Sequence, residues 1–301
     1  MTPTAQNERP ATVHTFDPHA PAAMSDAEFG HFAKLVTSKL GIKMPATKKF
    51  MLQSRLRRRM RQLDIDTIGR YQEYLFRSPD SAQELVHFIN AVTTNKTDFF
   101  REAHHMHALP ERVLPVLWRE RGARGLQFKL WCAGCSSGEE PYTLAMVLSE
   151  FAGAHPGFAY SILATDISTK VLGEAEQGIY DESKIAPVPV ELRRKYLLRS
   201  RNPDRPLVRI SPELRSKIRF RRLNFMDADY HLRETFDAIF FRNVMIYFDR
   251  PTQETVLTKL VRQLKPGGHL FVGHSESLAG MNLPLQAVST AIHQKTTQTT
   301  W

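Results

Sequence analysis

The chain has 301 residues and a net charge of +10, with 42% hydrophobic and 24% charged residues. This is the make-up of a soluble globular protein with room for two domains. No apolar run approaches the ~18–20 residues of a membrane span, the N-terminus lacks the basic start and apolar core of a secretory signal, and two cysteines exclude a disulfide scaffold and predict a cytoplasmic home.

In chain order, residues 1–24 are rich in Pro, Thr, Ala and His and read as a disordered leader. Residues 25–90 read as four helices. The first opens at a cap-like Ser25 and closes at Gly41. In the second, "TKKFMLQSRLRRRMRQLD", Leu52, Leu56, Met60 and Leu63 fall within about 80° of one another and predict a core stripe. The arginines are left to face outward, among them Arg55, Arg58 and Arg59. Residues 91–109, "TTNKTDFFREAHHMHAL" with its flanks, have weak periodicity and read as a linker. From 110 to 301 strands and helices alternate: "FKLWCA", "GEEPYTLAMVLSEFAG", "AYSILATD", "STKVLGEAEQGIY", "IRFRRLN", "FDAIFFRN", "RPTQETVLTKLVRQLKPGG" and "HLFVGHS". That alternation predicts an α/β fold, a doubly wound Rossmann-like domain preceded by an all-helical domain. The segment 181–216 breaks the alternation and reads as a small inserted antiparallel β-subdomain.

The positive charge is concentrated. Lys43 to Arg77 holds ten Lys/Arg against three Asp/Glu, and Arg193 to Arg222 holds twelve against two. An anionic partner or two solvated basic faces are both compatible with this.

"LWCAGCSSGEEPYTLAM", Leu130 to Met146, poses the sharpest choice. Cys132-x-x-Cys135 at a strand-to-helix junction has the look of a thiol redox site. Glu139 and Glu140 at the helix start would disfavour a thiolate there. A zinc site needs four ligands, no second Cys pair exists, and His104, His105 and His107 read as surface residues, so no metal is expected. The alternative is a cofactor turn. Ala133, Gly134, Ser136, Ser137 and Gly138 let a ligand approach the backbone. Asp166 ends the next strand and can accept bonds from ribose hydroxyls. The two glutamates oppose a phosphate and suit a cofactor with a cationic end, such as S-adenosylmethionine.

The motifs "SRLRRRMRQL", "TTNKTDFFRE", "CSSGEEPYTLA", "ATDIS", "GIY", "FDAIFFRNVMIYFD" and "LKPGGHLFVGHSES", in this order, resemble the chemotaxis-receptor protein-glutamate O-methyltransferases (CheR-type) over nearly everything after the leader. The resemblance implies a helical N-terminal domain and an S-adenosylmethionine-dependent domain with a β-subdomain. It implies methyl transfer to glutamates on the cytoplasmic helices of chemoreceptors. On this basis Asn95, Thr97 and Arg101 contact the cofactor from the crossing segment, Glu139 or Glu140 holds its amino group and Asp166 its ribose. Asn224 and Phe225 flank the adenine, Ala133 and Gly134 make room, and Arg242, Asn243 and Tyr247 face the same crevice. Arg101 and Tyr247 orient the substrate carboxylate. Arg55, Arg58 and Arg59 dock the acidic receptor helices. The β-subdomain loop "RSRNPDRP" lacks the glycine with which some members grip a C-terminal receptor pentapeptide, which speaks against that tether. "TTQTTW" at the end matches no family feature. A monomer is expected. "GHSES" lacks the last glycine of a hydrolase elbow. Two rival readings are a methyltransferase acting on RNA and a non-catalytic S-adenosylmethionine binder. The basic helix lacks the interleaved aromatics of an RNA surface, and the set of Arg101, Asp166, Asn243 and Tyr247 speaks for catalysis.

Overall fold

The computed structural model describes residues 23–121, 125–202 and 204–296. The predicted leader lies outside the described residues except for its last two, and so does the C-terminal tail from 297. Met24 belongs to the helical unit instead: it is buried, and its N–H donates to Gln53 Oε1 at 3.0 Å.

Four helices form the N-terminal unit: α1 (Asp26–Leu40), α2 (Lys49–Gln62), α3 (Ile68–Arg77) and α4 (Ser81–Val92). A reciprocal capping box between Ser25 and Glu28 starts α1, and Gly41 at φ 68° ends it. Leu52, Leu56 and Met60 of α2 pack with Phe32, Val36, Tyr71 and Phe88. This is the predicted apolar stripe, and its burial holds an otherwise very polar helix in place.

After the segment 93–102 come α5 (Ala103–Ala108), one π-helical turn at Leu109–Val113 and α6 (Leu114–Arg121). The sheet domain then runs β1 (Leu126–Ala133), α7 (Glu139–Ala154), β2 (Phe158–Asp166), α8 (Thr169–Gln177), β3 (Ile179–Asp181), α9 (Val190–Tyr196), β4 (Leu197–Arg199), β5 (Leu207–Ile210), α10 (Pro212–Arg215), β6 (Ile218–Arg222), β7 (Phe236–Phe241), α11 (Arg250–Gln263), β8 (Leu264–Val272), β9 (Leu285–Ser289) and β10 (Ile292–Lys295). The large sheet has the order β6-β2-β1-β7-β8-β10-β9. The strands from β6 to β8 are parallel, and β10 is antiparallel to both its neighbours. The chain builds outward from β1 on one side and returns to its other side with β7. The crevice at that reversal is where doubly wound sheets bind ligands.

The central strands are largely apolar because both faces are covered. Along β1, Leu126, Phe128, Leu130 and Cys132 pack with α5–α7, whereas Trp131 and Ala133 pack with α11. The inserted small sheet is antiparallel, in the order β3-β5-β4. The terminal hairpin β9–β10 has no counterpart in the sequence reading. Apart from Ile292 its residues are half-buried or exposed, so it carries no strong apolar alternation. No helix among the described residues is long and apolar enough to cross a membrane.

The helical unit leans on the carboxyl ends of the strands. Ile42 forms a β-bridge with Phe248, Lys43 N–H donates to Tyr247 O at 2.8 Å, and Asn224 Nδ2 donates to Lys39 O at 2.8 Å. On the other side Asn90 Oδ1 accepts from Ser168 Oγ at 2.9 Å.

Candidate active site

A cavity of about 350 Å³ opens between the strand ends and the helical unit, within the size range of small-molecule sites. Its floor is the β1–α7 turn. Gly134 takes φ +85°, and a Cβ there would come within 2.6 Å of Val244 Cγ2. Only glycine suits both the angle and the space. Thr165 O receives the N–H groups of Gly134 and Cys135, and Ser136 N–H donates to Asp166 Oδ2 at 2.9 Å. Asp166 Oδ1 accepts from Ser168 N–H at 2.9 Å. Burial pushes the Asp166 carboxyl above its ordinary pKa, against the opposing pull of these N–H groups. Each oxygen retains acceptor capacity beyond its one backbone donor.

The two glutamates of α7 diverge, as successive helix positions must. Glu139 is buried with its oxygens on Lys184 Nζ at 2.8 Å and Ser137 Oγ at 2.6 Å. It ties the turn to the β-subdomain and does not line the cavity. Glu140 does line it, with Oε2 at 3.0 Å from Arg242 Nη1 and Oε1 accepting from Cys132 Sγ at 3.3 Å. Both thiols are free and buried. Burial, reinforced by Glu140 for Cys132 and by Asp166 for Cys135, pushes them well above the usual thiol range. They are neutral small residues of the strand end, not a redox pair poised for attack.

Arg242 leaves the end of β7 with a fully buried side chain. Its Nη2 donates to Arg101 O at 2.6 Å and lies 3.1 Å from Glu102 Oε2. Glu102 Oε1 also accepts from Asn243 Nδ2 at 3.2 Å. Burial opposes ionisation of Glu102, but Arg242 and the Asn243 amide outweigh it and hold the carboxyl below its ordinary range. A second buried acid, Glu276, accepts Gly273 N–H at 2.6 Å and Asn243 N–H at 2.9 Å through Oε2. A Cβ on Gly273 would collide with Asn243 Nδ2 and Glu276 Oε2, which accounts for the glycine of "GHSES". Phe100, Glu102, Ser136 and Asn243 all take φ between +49° and +59°. Ser136 and Asn243 line the cavity and Phe100 and Glu102 flank its Arg101, and left-handed backbone at non-glycine residues is the kind of strain that collects at functional sites.

The mouth is lined by the segment Thr93–Thr97, by Arg101, and by Ile246 and Tyr247 from the loop after β7. Ser136 Oγ donates to Asn95 O at 2.8 Å and pins that segment over the floor. From the helical unit come Ile42, Met44, Lys48 and Met51. Lys48 Nζ sits 6.0 Å from the Tyr247 ring centroid.

Comparison with known proteins bears on what this cavity holds. The family model described as "CheR methyltransferase, SAM binding domain" matches residues 95–293, and the one described as "CheR methyltransferase, all-alpha domain" matches 27–93. The chain belongs to the CheR methyltransferase family. Its relatives include the chemotaxis protein methyltransferases of Salmonella typhimurium, 40% identical with 86% of each chain covered, and of Klebsiella aerogenes, 43% identical with 85% of each covered. That of Borreliella burgdorferi is 37% identical, covering 89% of this chain and 94% of its own. This CheR-family chain is therefore an S-adenosylmethionine-dependent methyltransferase, with its cofactor-binding domain built on the large sheet.

The residues present fit that cofactor. Asp166 offers acceptors, Glu140 a carboxylate for an ammonium group, and Ile167, Phe225 and Asn224 a mostly apolar slot with a polar edge. Of the residues singled out from sequence, the structure brings Asn95, Thr97, Arg101, Gly134, Glu140, Asp166, Asn224, Phe225, Arg242, Asn243 and Tyr247 to one cavity. Ala133 and Glu139, both buried, do not line it. Arg242 serves as the cavity's internal brace, and Asn224 already spends its amide on Lys39 O and Met226 N.

Two expectations are corrected. The row Arg55, Arg58, Arg59 is not a free docking face. Arg55 donates to Val92 O, to Thr93 O at 3.0 Å and to Thr94 Oγ1 at 2.9 Å, capping the end of α4. Arg59 pairs with the buried Glu84 at 2.7 Å, beside Tyr71. Only Arg58 of the three is exposed. The histidines are not a surface cluster either: His105 is fully buried, and His104 meets His274 instead of His107. Glu102 and Glu276 escaped sequence reasoning. A buried arginine needs a carboxylate, and that requirement is the one signal that could have led from Arg242 to the acid in "FFRE".

Proposed function

We propose that this methyltransferase transfers its methyl group to glutamate side chains on cytoplasmic helices of chemoreceptors, in chemotactic adaptation. The reading rests on family membership and is supported by one observation: the cavity mouth is lined by Lys48, Lys96, Arg101 and the phenol of Tyr247, between the apolar Met44, Met51 and Ile246. That combination suits an anionic side chain presented from an amphipathic helix. The bound cofactor supplies an electrophilic methyl on a sulfonium. A glutamate with a pKa near 4.3 is already ionised at neutral pH, so no protein group has to remove a proton. The chain's own task is alignment and partial desolvation.

In this reading Arg101 and Tyr247 place the carboxylate. Arg101 Nη1 donates to Lys96 O at 3.1 Å, which fixes the guanidinium at the rim and leaves its other donors available. The exposed Arg58, with Lys48 and Lys96, contributes a salt-sensitive attraction to acidic helices. Direct recognition at this mouth is favoured over a pentapeptide tether, because the β4–β5 loop "RSRNPDRP" lacks the glycine with which some family members grip that peptide.

The test is methyl transfer from labelled S-adenosylmethionine to receptor-containing membranes and, separately, to RNA. Base-labile volatile label from the membranes is expected. Label on RNA, or none on either, would overturn the reading. Tyr247→Phe is expected to lower kcat/KM about tenfold or more with cofactor affinity retained, and Arg101→Ala, which also removes a side chain expected to contact the cofactor, to lower both. Wild-type kcat/KM in both would remove their assignment.

A further inference from the structure

We propose that His104, His105 and His274 form a binding site for a divalent transition-metal ion of the imidazole-preferring class, Zn²⁺, Ni²⁺ or Cu²⁺. α5 begins directly after the segment that crosses the cavity, and it sets His104 and His105 against the loop leaving β8, which carries His274. One ring nitrogen from each of the three lies within 4.8 Å of the others. His274 Nε2 is already 2.7 Å from a ring nitrogen of His104. His105 is 0% exposed, packs edge-on to Phe271 at 5.5 Å between ring centroids, and neither of its ring nitrogens has a hydrogen-bond partner. Buried imidazole nitrogens without partners are costly, and each calls for an explanation.

The geometry is close to a three-histidine shell. Zinc–nitrogen distances of about 2.0–2.1 Å in a tetrahedron place donors roughly 3.3 Å apart. The His104–His274 pair would open by about 0.6 Å and His105 would close in, both within small side-chain rotations. Glu102 Oε2 lies 3.6 Å from His105 Nδ1. This assigns Nε2 of His105 to the ion and turns Nδ1–H toward the carboxylate, the usual outer partner of a metal-bound histidine. His274 is exposed, giving a path of entry and a fourth position for water. An all-imidazole set selects against Mg²⁺ and Ca²⁺, which prefer oxygen. The ion would join the two segments that hold Arg242 and Asn243 through Glu102.

The test uses the full chain without a polyhistidine tag, stripped with a chelator, and with neither cofactor nor methyl acceptor present, so its outcome is independent of the proposed substrate. Calorimetry with Zn²⁺ is expected to show one ion per chain at micromolar affinity, unaffected by excess Mg²⁺, and Co²⁺ is expected to give a visible d–d band. His104→Ala and His274→Ala should each weaken binding about tenfold or more, with circular dichroism unchanged. His107→Ala, an exposed neighbour outside the cluster, should bind as the parent does. Failure of the stripped chain to bind, displacement by Mg²⁺, or one-to-one binding that survives the double substitution of His104 and His274 would overturn the site.

Discussion

The cavity has two walls of different construction. The sheet-side wall is made of buried polar groups bonded to one another and to backbone: Asp166 on two N–H groups and Arg242 between Glu102 and Glu140, with Glu276, outside the lining, holding the N–H of Asn243. The helical-side wall is largely apolar and half open, with the half-buried Ile42, Met44 and Met51 beside Lys48. A few backbone and side-chain bonds seat it on the sheet domain. Polar groups bonded in this way in a low-dielectric interior are held in place, whereas methionine-rich apolar surface adapts to varied shapes. The first wall suits a single cofactor, and the second, on the proposed function, takes a protein helix that comes and goes.

The sharpest way to break this contrast is Asp166→Ala. Loss of a charged acceptor that also organises Ser136 and Ser168 should weaken cofactor binding about 100-fold by calorimetry. A change below tenfold would mean that the sheet-side wall is less pre-built than its bonding suggests. The same residue sets a pH signature. Its folded pKa is raised, so the cofactor-free fold gains from protonation while the acceptor needed by a hydroxyl donor is lost. The cofactor-induced rise in Tm should therefore shrink as the pH falls, starting at a higher pH than for a surface aspartate.

Next in size, Glu140→Gln should weaken cofactor binding about tenfold, the scale of one charge-assisted bond. Glu139→Gln should leave it within about twofold while lowering Tm through Lys184 and Ser137. Equal effects on binding would erase the distinction between the two positions. On the helical side, Arg59→Ala should cost about 2–4 kcal/mol in denaturant unfolding, because Glu84 would remain buried without its cation, with little change in methyl-acceptor KM. Arg58→Ala should do the reverse and more weakly: stability unchanged, KM for receptor membranes raised about threefold at low salt and the difference gone at high salt. If Arg59→Ala raised KM without loss of stability, α2 would be a docking face after all.

Much of the fold was legible because periodicity reports burial. Leu52, Leu56 and Met60 identified the inner face of α2, and the largely apolar "FKLWCA" and "FDAIFF" identified two strands of the sheet. The hairpin β9–β10 was not legible, since edge strands with mixed burial carry little pattern. Within the cavity, residues whose chemistry is local were found: the small turn, the strand-ending Asp166 and the acidic pair at 139 and 140, one of which faces the cavity. Residues whose role depends on a distant partner were not. Nothing near Arg59 in the chain names Glu84, and nothing near Arg242 names Glu102 or ties Asn243 to Glu276.

The sequence by itself determined the α/β alternation with a helical preface and the position of the cofactor turn, and its ordered motifs led to the family. Each of these depends on nearest-neighbour geometry and spacing along one element. Only the tertiary structure decided which glutamate faces the cavity, which arginine of α2 remains free, and that His105 is buried beside His104 and His274. Those outcomes turn on desolvation and charge pairing between elements 25 to 170 positions apart. A charge taken out of water must find its partner wherever the fold brings one within a few ångströms.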